Sequence, residues 1–169
     1  MQYKLENMFL FGIIPGPSEP LLTCLNHYLH PLVDMPLEFW HTGIQFSRTC
    51  ACYYGRVVRC ALICVVSDLP AARKISDFAS IHHMQMCAMC YCTRQQCDVL
   101  NDSFATLATW CMNEEICTSA QHYLDAVDEK VRNEVIHNSG IRWSELLRLP
   151  YFDASRFVVV DAMHNLFLG

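Results

Sequence analysis

The chain has 169 residues, 53% of them hydrophobic and 17% charged, with a formal net charge of −5 and a pI near 5.8. That composition describes one domain, or a piece of a larger one, with ample material for a core and none of the character of a disordered chain. The acidic balance speaks against these residues gripping nucleic acid tightly by themselves, because phosphate contacts need clustered Lys and Arg. The first residues lack the basic and apolar regions of a secretory leader, and no apolar run reaches membrane-spanning length. A reducing, intracellular setting is therefore expected, in which the eleven cysteines are thiols or metal ligands rather than a disulfide frame.

Residues 7–14 (NMFLFGII) form a short apolar run closed by Pro15-Gly16-Pro17, the pattern of a strand ending in a hard turn. Gly12 inside it suggests close backbone approach or a bulge. Ser18-Glu19-Pro20 then has the character of a helix start, with Ser18 as cap and Pro20 in the first turn. Leu21, Leu22, Leu25, Tyr28, Leu29, Leu32 and Val33 follow at helical spacing; Pro31 should kink this helix and Pro36 should end or break it. His27 and His30 read as surface or edge histidines. Residues 38–54 read as a packed connection, with Cys50 and Cys52 as small buried hydrophobes and Gly55 as a turn.

Residues 57–66 are almost unbroken apolar sequence, β-branched at both ends, which predicts a strand buried on both faces within a mixed or parallel sheet. Ser67-Asp68-Leu69-Pro70 stops that strand and starts a helix over 70–79. Asp68 has two readings. It is a favoured N-cap, with Pro70 fitting the first turn. It also stands where open α/β sheets place ligands and metals, so it is a candidate metal-binding catalytic carboxylate. One residue can fill both roles.

Next come His82, His83, the C-x-x-C pair Cys87 and Cys90, then Cys92 and Cys97. C-x-x-C spacing lets two thiolates share one tetrahedral zinc; His82, His83, Cys92 and Cys97 compete for the remaining positions. The alternative is a Met- and Cys-rich core turn. Residues 98–150 read as a helical insertion or cover, with a helix from near Ser119 that presents Leu124, Val127, Val131 and Val135 on one face. Asp128 and Arg132 stand at i,i+4 on it, and Gly140 suits its left-handed closing position. A short helix over 143–149 should stop at Pro150, and no site residue is expected in this segment.

Residues 156–160 (RFVVV) predict a second buried strand, again ending in a carboxylate, Asp161. A helix begun there puts His164 one turn along the same face; the alternative is a capping Asp and a neutral core His. Strand, carboxylate, helix thus occurs twice, and two carboxylates delivered to one sheet rim are suited to divalent metals and phosphodiester chemistry.

The ordered set of segments 7–17, Ser67-Asp-Leu-Pro-Ala-Ala-Arg-Lys74, Phe78-Ala-Ser80, Cys87-Ala-Met-Cys90, Arg142-Trp-Ser-Glu-Leu-Leu-Arg-Leu-Pro150 and Asp161-Ala-Met-His-Asn-Leu-Phe-Leu-Gly169 resembles transposases of the CACTA (En/Spm-like) superfamily, most of all the copies in mushroom-forming fungi. The resemblance implies an α/β domain over 1–169, a partial RNase H-like fold: a mixed sheet with flanking helices and a helical insertion at 98–150. It implies metal-dependent DNA cleavage and strand transfer by an acidic triad using Mg2+ or Mn2+. Asp68 matches the second acid of that triad, Cys87 and Cys90 the C-x-x-C that follows it, and Asp161 and His164 a D-x-x-H motif between the second and third acids. A structural Zn2+ held by Cys87 and Cys90, with His82 or His83, goes with it.

The family's first acid lies upstream of every motif in this sequence and its third beyond Gly169, so an internal fragment with one of three catalytic carboxylates is expected, inactive alone. Asp77 stands where a glycine is expected, and Ile81 separates Ser80 from the expected histidine. DNA ends would be the parent's partner, with room for a homo-oligomer, no membrane and no small-molecule cofactor, in the nucleus or elsewhere inside the cell. One rival is a non-catalytic, zinc-stabilised interaction module. The other is an ordinary metal-dependent hydrolase that uses Asp68, Asp161 and His164.

Overall fold

Helices carry most of the regular structure in the computed structural model, which describes residues 4, 6, 8–80, 82–85, 87, 89–95, 110–163 and 167. The fold is mixed α/β, with two small sheets and no closed barrel. Helix α1 spans Leu22–His41, and its apolar stripe buries Leu29 and Val33. It starts later than the Ser18 reading expects: Leu21 is the N-cap and makes no side-chain cap bond. Glu19 instead pairs with Lys74. Pro31 and Pro36 both lie inside the helix, so neither ends it. Each proline removes one backbone donor, yet the buried stripe continues past the first of them, and packing rather than local propensity sets the length.

After Gly43, strand β1 (Ile44–Phe46) pairs antiparallel with β2 (Arg56–Val58), Ile44 opposite Val58 and Phe46 opposite Arg56. Gly55 closes the loop at φ 85°, where a Cβ would lie 2.4 Å from the Phe46 carbonyl oxygen. Only glycine fits that position.

The apolar run 57–66 is not one buried strand. β2 ends at Val58, residues 59–64 lie outside any strand, and β3 (Val65–Ser67) belongs to the other sheet. Val57, Ile63 and Val66 are exposed. Among the described residues β3 has one neighbour, the parallel strand β4 (Val158–Val160). Helix α2 (Leu69–Ile75) packs against both strands, so the alternating positions Val65 and Ser67 are covered while Val66 faces out. Apolar content promised two buried faces, but the pairing supplies cover for one. The first apolar run also differs from expectation: residues 8–14 form no strand, their side chains are exposed, and Gly12 has nothing within 4 Å of a would-be Cβ.

The single helix expected from Ser119 onward is two, α3 (Asn113–Asp125) and α4 (Glu129–Ser139), packed on each other. Ala126 turns extended at ψ 127° and ends α3. Asp128 then caps α4, its Oδ1 accepting from the Val131 amide at 2.9 Å, so this carboxylate serves the backbone rather than the Arg132 side chain. Val127, expected on the apolar face, is 96% exposed. Gly140 does close α4 in the left-handed region at φ 70°. A 3₁₀ turn, Glu145–Arg148, capped by Ser144, replaces the expected short helix before Pro150. The core gathers Val33, Phe78, Ile116, Leu146, Leu149, Phe152 and Ala154, from α1, the end of α2, α3 and the segment before β4. Among the described residues no helix is long and apolar enough to cross a membrane.

Candidate functional site

The β3–β4 pair sets the geometry of one sheet rim. Ser67 is the register partner of Val160, and the Asp161 amide donates to the Ser67 carbonyl at 2.7 Å. Asp68 and Asp161 therefore leave two adjacent parallel strands side by side, at their C-terminal ends. Asp68 caps α2: its backbone is extended (φ −63°, ψ 164°) and its Oδ1 accepts from the Ala71 amide at 2.7 Å, with Pro70 in the first turn. That commits one carboxylate oxygen; a carboxylate has a second with its own lone pairs. Asp161 Oδ1 accepts from the Met163 amide at 3.1 Å. Both acids are half-buried. Asp68 also lines a cavity of about 280 Å³ that includes Glu19 and Lys74 between the start of α1 and α2. His164 lies outside the described residues.

The C-x-x-C pair lies elsewhere. Cys87 and Cys90 line a cavity of about 450 Å³ together with Cys111, Glu115 and Gly140. Cys111 was not legible as a site residue, because it reaches the pair through a backbone ladder and not through sequence spacing: its amide donates to the Met89 carbonyl at 2.9 Å, and Cys90 bridges Trp110 antiparallel. Burial, followed by the neighbouring Cys87 and Cys90, pushes the Cys111 thiol up to about 11. Burial lowers the pKa of the Arg73 guanidinium while attraction to Cys87 opposes that, so a buried cation stands near these sulfurs. His83 lies against Gly140, with Nδ1 3.0 Å from where a Cβ would be, and that nitrogen accepts from the Gln85 amide at 3.2 Å. His82 is exposed, and its amide donates to Ser80 Oγ. Cys92 is buried, its thiol 3.4 Å from the Thr93 carbonyl oxygen; Cys97 lies outside the described residues. Among the described residues no three of His, Cys, Asp and Glu converge on an ion-sized shell.

Asp77 is a further charged residue without an expected role. It is buried, sits at φ 55°, and its carboxyl rises to about 7 because burial outweighs the Asn26 hydrogen bond and the Arg142 charge. The left-handed backbone accounts for the glycine expected there, and Asp is among the few other residues that tolerate it.

No curated protein and no solved structure matches the chain. The family model described as "Transposase family tnp2" matches residues 1–133, the part that carries α1, both strands of the hairpin, Asp68, Cys87, Cys90 and Cys111. A match over that much of the sequence shows that the chain belongs to the transposase family tnp2.

Proposed function

We propose that these residues are part of a CACTA-type (En/Spm-like) transposase of fungal kind, in which Asp68 is one of the carboxylates of an RNase H-like, metal-dependent DNA strand-transfer centre. The observation that carries this is the parallel β3–β4 pair, which brings Asp68 and Asp161 out at one rim. The donor chemistry suits Mg2+ or Mn2+, which take oxygen ligands. Bound divalent ions supply an activated water or 3′-hydroxyl and stabilise the charge of in-line phosphodiester displacement. The chain's own part is positional: α2 fixes the Asp68 backbone and one oxygen through the Ala71 amide, and the second oxygen is left to face a cation. Asp161 flanks that position from the neighbouring strand, and His164 follows it in sequence. Within these 169 residues Asp68 alone matches the acidic triad, so the isolated chain does not cut DNA. Its setting is the nucleus, and its partner in the parent enzyme is the pair of transposon ends. Purified chain incubated with supercoiled plasmid and Mg2+ or Mn2+ tests this; nicking that disappears in Asp68→Ala overturns the reading of an inactive part.

A second reading is favoured by the shared cavity of Cys87, Cys90 and Cys111. In it the same residues serve as a zinc-stabilised, non-catalytic interaction module, with Cys87 and Cys90 as thiolate ligands and His82 or His83 completing the set. A chain that carries zinc, folds alone and binds a partner without cutting DNA would favour it.

A further inference from the structure

A separate cavity of about 240 Å³ lies between α1, the end of α2 and the α3–α4 hairpin, with Asn26, Asp77, Tyr123, Arg132, Arg142 and Trp143 in its lining. Its hydrogen-bonding groups are unbalanced. Asn26 is fully engaged: Nδ2 donates to Asp77 Oδ2 at 2.9 Å and to the Trp143 carbonyl at 2.7 Å, and Oδ1 accepts from the Glu145 amide at 2.9 Å. Trp143 Nε1 is taken by Glu145. The guanidiniums are not so served. Arg142 Nη1 is buried with no hydrogen-bond partner among the described residues. Arg132 reaches the Ala126 carbonyl only at 3.5 Å, with its guanidinium 6.0 Å from the centre of the Tyr123 ring. A buried charged donor left unmet is costly, so an added acceptor beside Arg142 would be favoured. Asp77 is the one acid in the described lining, and its charge is weakened by burial.

We propose that this cavity binds a phosphate group, contacted by Arg142 and Arg132, with the backbone of a DNA strand as its source. Arg132 and Arg142 both line the cavity, and guanidinium donors match tetrahedral phosphate oxygens; Tyr123 and Trp143 give it aromatic walls. The site is distinct from the Asp68–Asp161 rim and from the cysteine cavity. The choice of DNA rests on the transposase reading; the phosphate chemistry rests on the cavity alone.

The test titrates the full 169-residue chain with inorganic phosphate, and separately with a short DNA duplex, following arginine side-chain NMR signals and calorimetric heats. Loss of one charge-assisted contact predicts about tenfold weaker phosphate binding in Arg142→Gln. Arg132→Gln, at an exposed position, keeps the fold and weakens binding in the same direction should the first variant unfold. DNA binding weakened by the same variants supports the proposal in full. Absence of saturable phosphate binding, or binding unchanged in both variants, overturns the site. Phosphate binding that is lost while DNA binding is untouched overturns DNA as the source.

Discussion

The side-chain amide of Asn26 donates to the carboxylate of Asp77 at 2.9 Å, tying the first turns of α1 to the turn just past the C-cap of α2. The same asparagine reaches the start of the 3₁₀ turn through Trp143 and Glu145, so one amide joins three parts of the chain. The carboxylate it meets is buried and sits in the left-handed region at φ 55°. Both features have measurable consequences.

Burial raises the Asp77 carboxyl to about 7, against an unfolded value of about 3.9. Between those values the folded chain holds the proton that the unfolded chain releases, so stability falls as pH rises from about 4 to about 7 and levels above that. The full shift corresponds to at most about 4 kcal/mol. Asp77→Asn keeps an oxygen for Asn26, tolerates the left-handed backbone and does not titrate. The melting temperature of the variant relative to the parent chain should therefore climb between pH 5 and pH 8. Parallel pH profiles of the two proteins would falsify this account. Asp77→Ala, which lacks the acceptor and strains the backbone, should be destabilised at every pH.

The Arg148 guanidinium joins α1 to the 3₁₀ turn, donating from Nη2 to Asp34 at 2.7 Å and from Nη1 to Glu145 at 2.9 Å. Burial opposes ionisation of Glu145, but hydrogen bonds from Trp143, His30 and Arg148 outweigh it and hold its carboxyl below the usual range. A lowered acid stabilises above its unfolded pKa and loses that contribution as pH falls through its folded one. The pair is partly solvated, which limits its worth to about 1 kcal/mol. Arg148→Met should cost about that much in urea unfolding at pH 7 and less near pH 3. An equal cost at both pH values would assign the effect to lost packing of the arginine stem.

How far the sequence led differs from element to element. Asp68 as a cap, Gly140 as a helix closer, Gly55 as a turn and the strand before Asp161 were legible, because each rests on local backbone chemistry. The run 57–66 was misread, because apolar content does not say which neighbour covers a strand: β2 pairs with β1 while β3 pairs with β4. The Ser119 periodicity continued across Ala126 and Asp128, where one extended residue and one cap split the helix. The adjacency of Asp68 and Asp161 was inferred from a repeated pattern and depends on a parallel pairing that only the tertiary fold supplies. Cys111 gave no signal, and Arg142, though it opens the 142–150 motif, gave none as a cavity residue, since each meets its cavity across contacts distant in sequence.

Cys111 bears on the zinc question. Its thiol shares a cavity with Cys87 and Cys90, while Cys117 does not line it. Protein purified without added metal should carry about one zinc per chain if the C-x-x-C pair is a ligand set. Cys87→Ser should lose it and Cys117→Ser should not; a weaker thiolate-to-metal band after cobalt substitution in Cys111→Ser would add Cys111 to the set as a third sulfur. Metal analysis that finds no zinc, or zinc indifferent to Cys87→Ser, removes the zinc-stabilised reading.

Asp68 carries two roles that a single pair of substitutions separates. As a cap its Oδ1 accepts from the Ala71 amide at 2.7 Å, and removing such a cap costs about 1 kcal/mol. Asp68→Ala should lose that stability. Asp68→Ser retains a capping oxygen and should hold stability to within a few tenths of a kcal/mol, yet it has no carboxylate for a cation. Binding of Mn2+ followed by water-proton relaxation should weaken equally in both variants if the rim it forms with Asp161 is a cation site. Asp161→Asn, on the adjacent parallel strand, should weaken it too, because the two acids emerge together where the Asp161 amide meets the Ser67 carbonyl. Manganese affinity that follows stability, falling in Asp68→Ala but not in Asp68→Ser, would leave Asp68 a helix cap and nothing more.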